Sequence, residues 1–268
     1  MATLRSVNLK LNRADEILNA LRDEIDAFLV ATVHEVTVKT KMGVAGSQLI
    51  DSEPLYEVDS PDPPARWSVL IGDIASNLRC SLDHLACQLA VMNNRTPGRE
   101  TAFPIFEDEA KYRSSGTQMI RLLSLGHQAI MDEFQPYPGN PNQAANHPLL
   151  VLKELRNLDT HREVHSLVLS INIPQQPLHS ARHVRDGLWE FSLAGHRGKK
   201  SRIRLGNGDS LILTGRIQGG FPTQVVFGQD DLDDLTPQLL KGKDVLEQLR
   251  AIQARIKDII TRFSPYFP

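Results

Sequence analysis

Apolar residues recur with a helical period at the start of the chain. From about Leu9 to Val30 they fall at Leu11, Ile17, Leu18, Leu21, Ile25, Phe28 and Leu29, with Arg13, Glu16, Arg22, Asp23 and Asp26 between them. That spacing predicts an amphipathic helix. His34 to Lys41 alternates polar residues with Val36 and Val38, which suits a strand or a continuation of the helix. Ser60-Pro61-Asp62-Pro63-Pro64 breaks any regular element. A second long helix is expected from Arg66 to Met92. Its apolar stripe is Ile71, Ile74, Ala75, Leu78, Leu82, Leu85, Ala86 and Leu89, within about 120° of the helical wheel. Asn77, Ser81, His84 and Gln88 line one flank of the stripe, and Arg79 and Asp83 the other.

Residues 93–118 read as loop, with Phe103-Pro104-Ile105 extended, and a helix is expected over 118–134. Gln135-Pro136-Tyr137-Pro138-Gly139-Asn140-Pro141 cannot be regular. Asn146 and Pro148 are cap and first-turn residues for a helix that carries Leu149, Leu152, Leu155 and Leu158 and ends near His161. Strand patterns follow at 164–173, 188–193, 201–205, 210–216 and 223–227, with Gly206-Asn207-Gly208-Asp209 as a hairpin signal. Thr236-Pro237 opens a last expected helix that runs to Phe263. The order predicts an α+β fold. A helical lobe of residues 1–163 packs against an antiparallel sheet of residues 164–228, and residues 229–268 return as a helix to the helical lobe.

Composition narrows the function classes. Of 268 residues, 41% are hydrophobic and 23% charged, and 30 basic against 32 acidic residues leave a net charge of -2. Those values exclude a disordered, collagen-like or disulfide-built chain and a globally basic nucleic-acid binder. Cys80 and Cys87 on one helix stand about 10 Å apart along its axis, beyond the roughly 7 Å a disulfide spans. Two thiols, no signal-peptide apolar core and no apolar run near the ~18 residues of a membrane span lead to the expectation of a cytoplasmic protein without a membrane partner.

The densest chemistry is Leu155-Arg156-Asn157-Leu158-Asp159-Thr160-His161-Arg162-Glu163-Val164-His165. A histidine at a helix C-terminus is favoured as imidazolium and titrates near neutrality. Arg156 can hold a phosphate or carboxylate bidentately. Three arginines stand five or six residues before a histidine: Arg79 before His84, Arg121 before His127 and Arg156 before His161. A polar residue follows only the last arginine. Arg156-Asn157-x-x-x-His161 resembles the R-polar-x-x-x-H signature of HEPN-domain ribonucleases. The resemblance implies a metal-independent endoribonuclease without cofactor, a toxin or defence effector acting on RNA as a homodimer of helical bundles. His161 would be the acid/base, Arg156 would stabilise the phosphorane and Asn157 would position the site. Asp83, His84 and Asp159 are candidate orienting groups, and Arg79, Arg162, Lys199 and Lys200 candidate substrate contacts. The plain structural alternative is a salt-bridged helix end of Arg156, Asp159 and Arg162, and an i,i+4 pair of Arg79 with Asp83.

Arg79-x-x-Leu82-Asp83-His84-Leu85, Phe103-Pro104-Ile105, Gln135-Pro136-Tyr137, His147-Pro148-Leu149 and Asn157-x-Asp159-x-His161-Arg162 together resemble a pattern in bacterial proteins of unknown function, and imply that these segments converge. Trp67-Ser68-Val69-Leu70 before a helix with His84 resembles DinB-like metal-binding bundles. A metal-dependent hydrolase using His84, Asp159, His161 and His165 is therefore a second reading. A non-catalytic ligand- or protein-binding protein is a third. His196 to Arg204 holds five Lys/Arg and no acid, suited to a nucleic-acid backbone or to a charge-protected strand edge. Asp230-Asp231-Leu232-Asp233-Asp234 suits a helix N-terminus. There is no P-loop, G-x-G-x-x-G or G-x-S-x-G, which disfavours the common nucleotide-dependent and serine-hydrolase classes.

Overall fold

The computed structural model describes residues 1–45, 48–51, 55–137, 147–161, 165–171, 179–185, 188–193, 200–204, 210–219, 223–228, 237 and 239–268. For residues 34–57 other than Thr37, for 160–161 and for 171–219 it describes the backbone alone. The fold is α+β. Five helices of two turns or more are described: α1 Arg5–Ala31, α2 Arg66–Met92, α3 Leu125–Glu133, α4 Pro148–His161 and α5 Val245–Phe263. The chain divides into two compact units. The first is residues 1–27, 63–170 and 224–268, and the second is residues 28–62 and 171–223.

The first unit is a helical bundle. Helix α2 is its centre, because Trp67, Ile71, Ile74, Leu78, Leu82, Leu85 and Leu89 are buried on every turn. Each such side chain contributes about 1.5–3 kcal/mol on burial. Helix α1 lies antiparallel along it, buried through Val7, Leu11, Ala14, Leu18, Leu21 and Ile25. The pairing is marked by Thr3 N donating to Gln88, Lys10 Nζ to Asn77 and Trp67 Nε1 to Glu24. Helices α4 and α5 pack on α2 and on each other. The C-terminal helix thus returns to the bundle, through Val245, Leu249, Ile252, Ile256, Ile259 and Phe263 at alternating steps of three and four. Two short strands, β4 Leu167–Ile171 and β9 Thr223–Phe227, pair in a separate two-stranded sheet.

The second unit is built of strands: β1 His34–Ala45, β2 Gln48–Asp51, β3 Leu55–Asp59, β5 His179–Arg185, β6 Leu188–Leu193, β7 Lys200–Arg204 and β8 Ser210–Gly219. β1 pairs antiparallel with β2, β3 and, from His34↔Gly219 to Gly43↔Ser210, with β8. β5, β6 and β7 form an antiparallel sheet in that order.

Several sequence expectations change here. Residues 34–59 supply three strands to the unit of the later strands, because β1 pairs with β8 along ten positions. The division is therefore not a single break at 163. β7 and β8 belong to different sheets, so they are not the two arms of a hairpin, and Gly206 to Asp209 lies outside the described residues. The helix expected over 118–134 is interrupted. Turns at Glu109–Lys111, Tyr112–Gly116 and Thr117–Met119 precede α3, whose start is fixed by Ser124 accepting from His127 N at 3.2 Å. The last helix begins at Val245, not at Thr236, because Asp244 accepts from Glu247 N at 2.7 Å in a capping arrangement. The acidic run 230–234 thus does not abut this helix, and it lies outside the described residues, as do Asn146 and Thr236. Cys80 and Cys87 are both free thiols. No helix of the described residues is long and apolar enough to cross a membrane.

Candidate functional site

Helix α2 carries two polar clusters, one at Arg79 and Asp83 and one seven to eleven residues earlier at Gly72. At the first, Arg79 Nε and Nη2 contact both oxygens of Asp83, at 3.1 and 2.9 Å. The same two side chains close on one backbone residue. Arg79 Nη2 donates to Phe103 O at 2.7 Å, and Phe103 N donates to Asp83 Oδ1 at 3.0 Å. Phe103 itself is fully buried. Gln135 continues the clamp, donating through Nε2 to Pro104 O at 2.9 Å and accepting from Phe106 N at 3.3 Å. The segments at 79–83, 103–106 and 131–135 therefore converge, held by backbone-directed hydrogen bonds. Arg79 and Asp83 thus bond each other and the loop backbone. Asp83 also helps burial raise the pKa of the neighbouring Cys87 thiol.

The second cluster lies where the end of α4 meets the first turns of α2. The Asp159 carboxylate rests on Gly72, and a Cβ placed there would stand 2.7 Å from Asp159 Cγ. Arg156 is 3.8 Å from Asp159, both about one-third exposed. Asn157 is exposed. His161 is the last residue of α4, and its backbone alone is described. Past the helix, His165 is buried, and neither ring nitrogen has a hydrogen-bond partner among the described residues. Ser68 Oγ donates to the His165 carbonyl, and the Phe227 ring meets the imidazole edge-on at 6.1 Å. Burial pushes the imidazole down to about 4, against the pull of the Asp159 charge. It is neutral at pH 7 and keeps one unused donor and one unused acceptor.

The candidate residues thus fall into separate groups. Arg156, Asn157, Asp159 and the His161 backbone share the last two turns of α4, and the Asp159 charge acts on His165. Arg79 and Asp83 form the other group. His84 belongs to neither; it is half-buried with Nδ1 unpartnered. Gly72 marks where Asp159 touches α2, and twelve helical residues place His84 about 18 Å further along the axis. His84 therefore does not complete a metal set with Asp159, His161 and His165. The helix also ends at His161, so His165 does not follow it on a shared helical face. Among the described residues no group of three or more His, Cys, Asp or Glu is placed to hold a metal ion. Arg162 and Lys199 lie outside the described residues, and Lys200 is described by its backbone in β7.

Gly72 is the residue that motif reading missed, and the bond from Ser68 to the His165 carbonyl is not part of any motif. Gly72 had a signal: a glycine inside an unbroken helix weakens it by about 0.5–1 kcal/mol relative to alanine, and marks a close approach. Comparisons with family models, with curated proteins and with solved structures found no match.

Proposed function

We propose that the C-terminal end of α4 is the active site of a HEPN-like, metal-independent endoribonuclease. The observation that carries the reading is the placement of Arg156 and Asn157 in the last two helical turns, the first partly exposed and the second exposed, on the same helix end as His161. A polyanion can reach such a surface. Asp159 stands 3.8 Å from Arg156, longer than a close charge-assisted bond. A phosphate approaching bidentately competes with it.

In the proposed reaction the ribose 2′-oxygen attacks the adjacent phosphorus and the 5′-oxygen leaves. His161 accepts the 2′-hydroxyl proton or returns a proton to the leaving oxygen. Arg156 balances the charge that gathers on the non-bridging oxygens. The product ends are a 2′,3′-cyclic phosphate and a 5′-hydroxyl. Five helical steps set the Arg156 and His161 positions about 140° apart around the axis. A site completed by a second copy of the chain resolves that divergence, so the active species in this reading is a homodimer.

The test is RNA cleavage by the purified chain in EDTA, with Arg156→Ala and His161→Ala alongside. Cleavage by the parent alone, leaving cyclic phosphate ends, supports the reading. Cleavage that persists in His161→Ala, or none by the parent on a broad RNA panel, ends it.

A further inference from the structure

At the opposite end of α4 a positive charge stands without a counterion among the described residues. Arg255 on α5 is half-buried, and its guanidinium carbon lies 4.8 Å from the centre of the Phe134 ring. Its Nε is buried with no hydrogen-bond partner. Acids around it are engaged elsewhere. Glu133, next to Phe134, faces Arg262 at 3.7 Å, and Asp132 faces Arg113 at 2.8 Å and bonds the Tyr137 hydroxyl. Asp15 faces Lys257 at 3.1 Å, two residues along α5 from Arg255. Among the described residues no acid pairs with Arg255.

The second positive feature is the start of α4. His147 immediately precedes its first residue, Pro148, where the helix macrodipole presents its positive end. Leu149 N donates to His147 Nδ1 at 3.2 Å, and Leu150 N and Val151 N donate to its carbonyl at 2.9 and 3.2 Å. An Nδ1 that accepts leaves the ring proton on Nε2. No partner of that Nε2–H is found among the described residues. Helices α4 and α5 pack on each other, and burial and, after it, the Arg255 charge push His147 down to about 4. A half-buried guanidinium beside a helix N-terminus is unfavourable in itself, and a bound anion removes the conflict.

We propose that Arg255, His147 and Phe134 form a binding site for an oxyanion, the phosphate or carboxylate group of a small molecule. Arg255 supplies the charge, with one face covered by Phe134. His147 supplies Nε2–H as a neutral donor. The site is independent of the ribonuclease reading, nine residues or more along α4 from Arg156.

The test is titration of the full chain with sodium phosphate and, separately, sodium acetate, each against sodium chloride at equal ionic strength. The readouts are calorimetry and the ring resonances of His147, assigned by their loss in His147→Gln. A saturable phosphate response that shifts the His147 ring assigns a phosphate site, and the same response to acetate alone assigns a carboxylate site. Arg255→Met should weaken the binding about tenfold or more, with Arg255→Lys between the two. Binding undiminished in Arg255→Met overturns the proposal. So does a parent chain whose His147 ring responds to neither anion beyond chloride, a result readable even where a variant does not fold.

Discussion

The two polar clusters of helix α2 use similar residues to opposite ends. At Arg79 and Asp83 every contact closes on protein: the pair bonds itself and both backbone groups of Phe103. At the other cluster the carboxylate of Asp159 lies against Gly72, its charge acts on the imidazole of His165, and His165 leaves both nitrogens unused among the described residues. A net hydrogen bond contributes about 1 kcal/mol, whereas a buried polar group without a partner costs about 1–3. The first cluster is thus a fastening and the second holds unspent polar capacity. Charge and spacing in the sequence do not separate them; the satisfaction of each polar atom does.

The contrast is sharpest in its response to pH. His165 titrates at about 4 in the fold, against about 6.5 unfolded. Its folded value is the lower, so the unfolded chain takes the proton first. The fold loses stability as pH falls from about 6.5 to about 4, by up to roughly 3 kcal/mol. His165→Leu should remove most of that loss and stabilise the chain at pH 7 by about 1 kcal/mol. His147, also pushed down to about 4, is present in both proteins and leaves their difference unchanged. Urea unfolding at pH 7 and pH 4.5 measures it; parallel losses in parent and variant would show that His165 is not the group.

The fastening should respond in the other direction. Asp83→Ala leaves Arg79 and Phe103 N without their acceptor, and about 2 kcal/mol of stability should go. Asp83→Asn keeps an acceptor for Phe103 N and should lose about half as much. Denaturant midpoints at pH 7 check both. Equal stability of Asp83→Ala and the parent would mean that the clamp is ornamental.

How far the sequence reached follows the same division. Helix α2 falls at Arg66–Met92 as its apolar period predicts, because Pro63-Pro64 and the end of the apolar stripe bound it without competition. Helix α4 begins at Pro148 and ends at His161 for similar reasons. The start of α5 was misread because two acceptable N-caps stand eight residues apart, and the Asp244–Glu247 box is the one that opens the helix. Strand β5, His179–Arg185, has no signal in the sequence pattern; among the described residues it stands at the end of its sheet, and its polar sequence lacks the apolar run of β6 beside it. The Arg79–Asp83 pair was legible through its i,i+4 spacing, but its target was not, since a backbone amide at Phe103 has no side-chain signature. The approach of Asp159 to Gly72, which separates His84 from Asp159, needed the crossing of α4 over α2, and no spacing within either helix encodes that.

The smallest expected effect isolates that crossing. Alanine for glycine inside a helix ordinarily stabilises by about 0.5–1 kcal/mol. Gly72→Ala should not, because its Cβ would overlap the Asp159 carboxylate. Asp159 is short, so it must swing away, disturbing its approach to Arg156 and its field on His165. A net loss of about 1 kcal/mol is expected. In an Asp159→Ala background the obstacle is gone, and the same Gly72→Ala should become neutral or stabilising. The double-mutant cycle should therefore show a coupling of about 1–2 kcal/mol between positions 72 and 159. Gly72→Ala combined with Asp83→Ala should be additive, since eleven residues of helix separate them by about 16 Å. A stabilising Gly72→Ala in the parent chain would mean that Asp159 does not lie on α2 at this turn, and the distinction between the two clusters would lose its geometric basis.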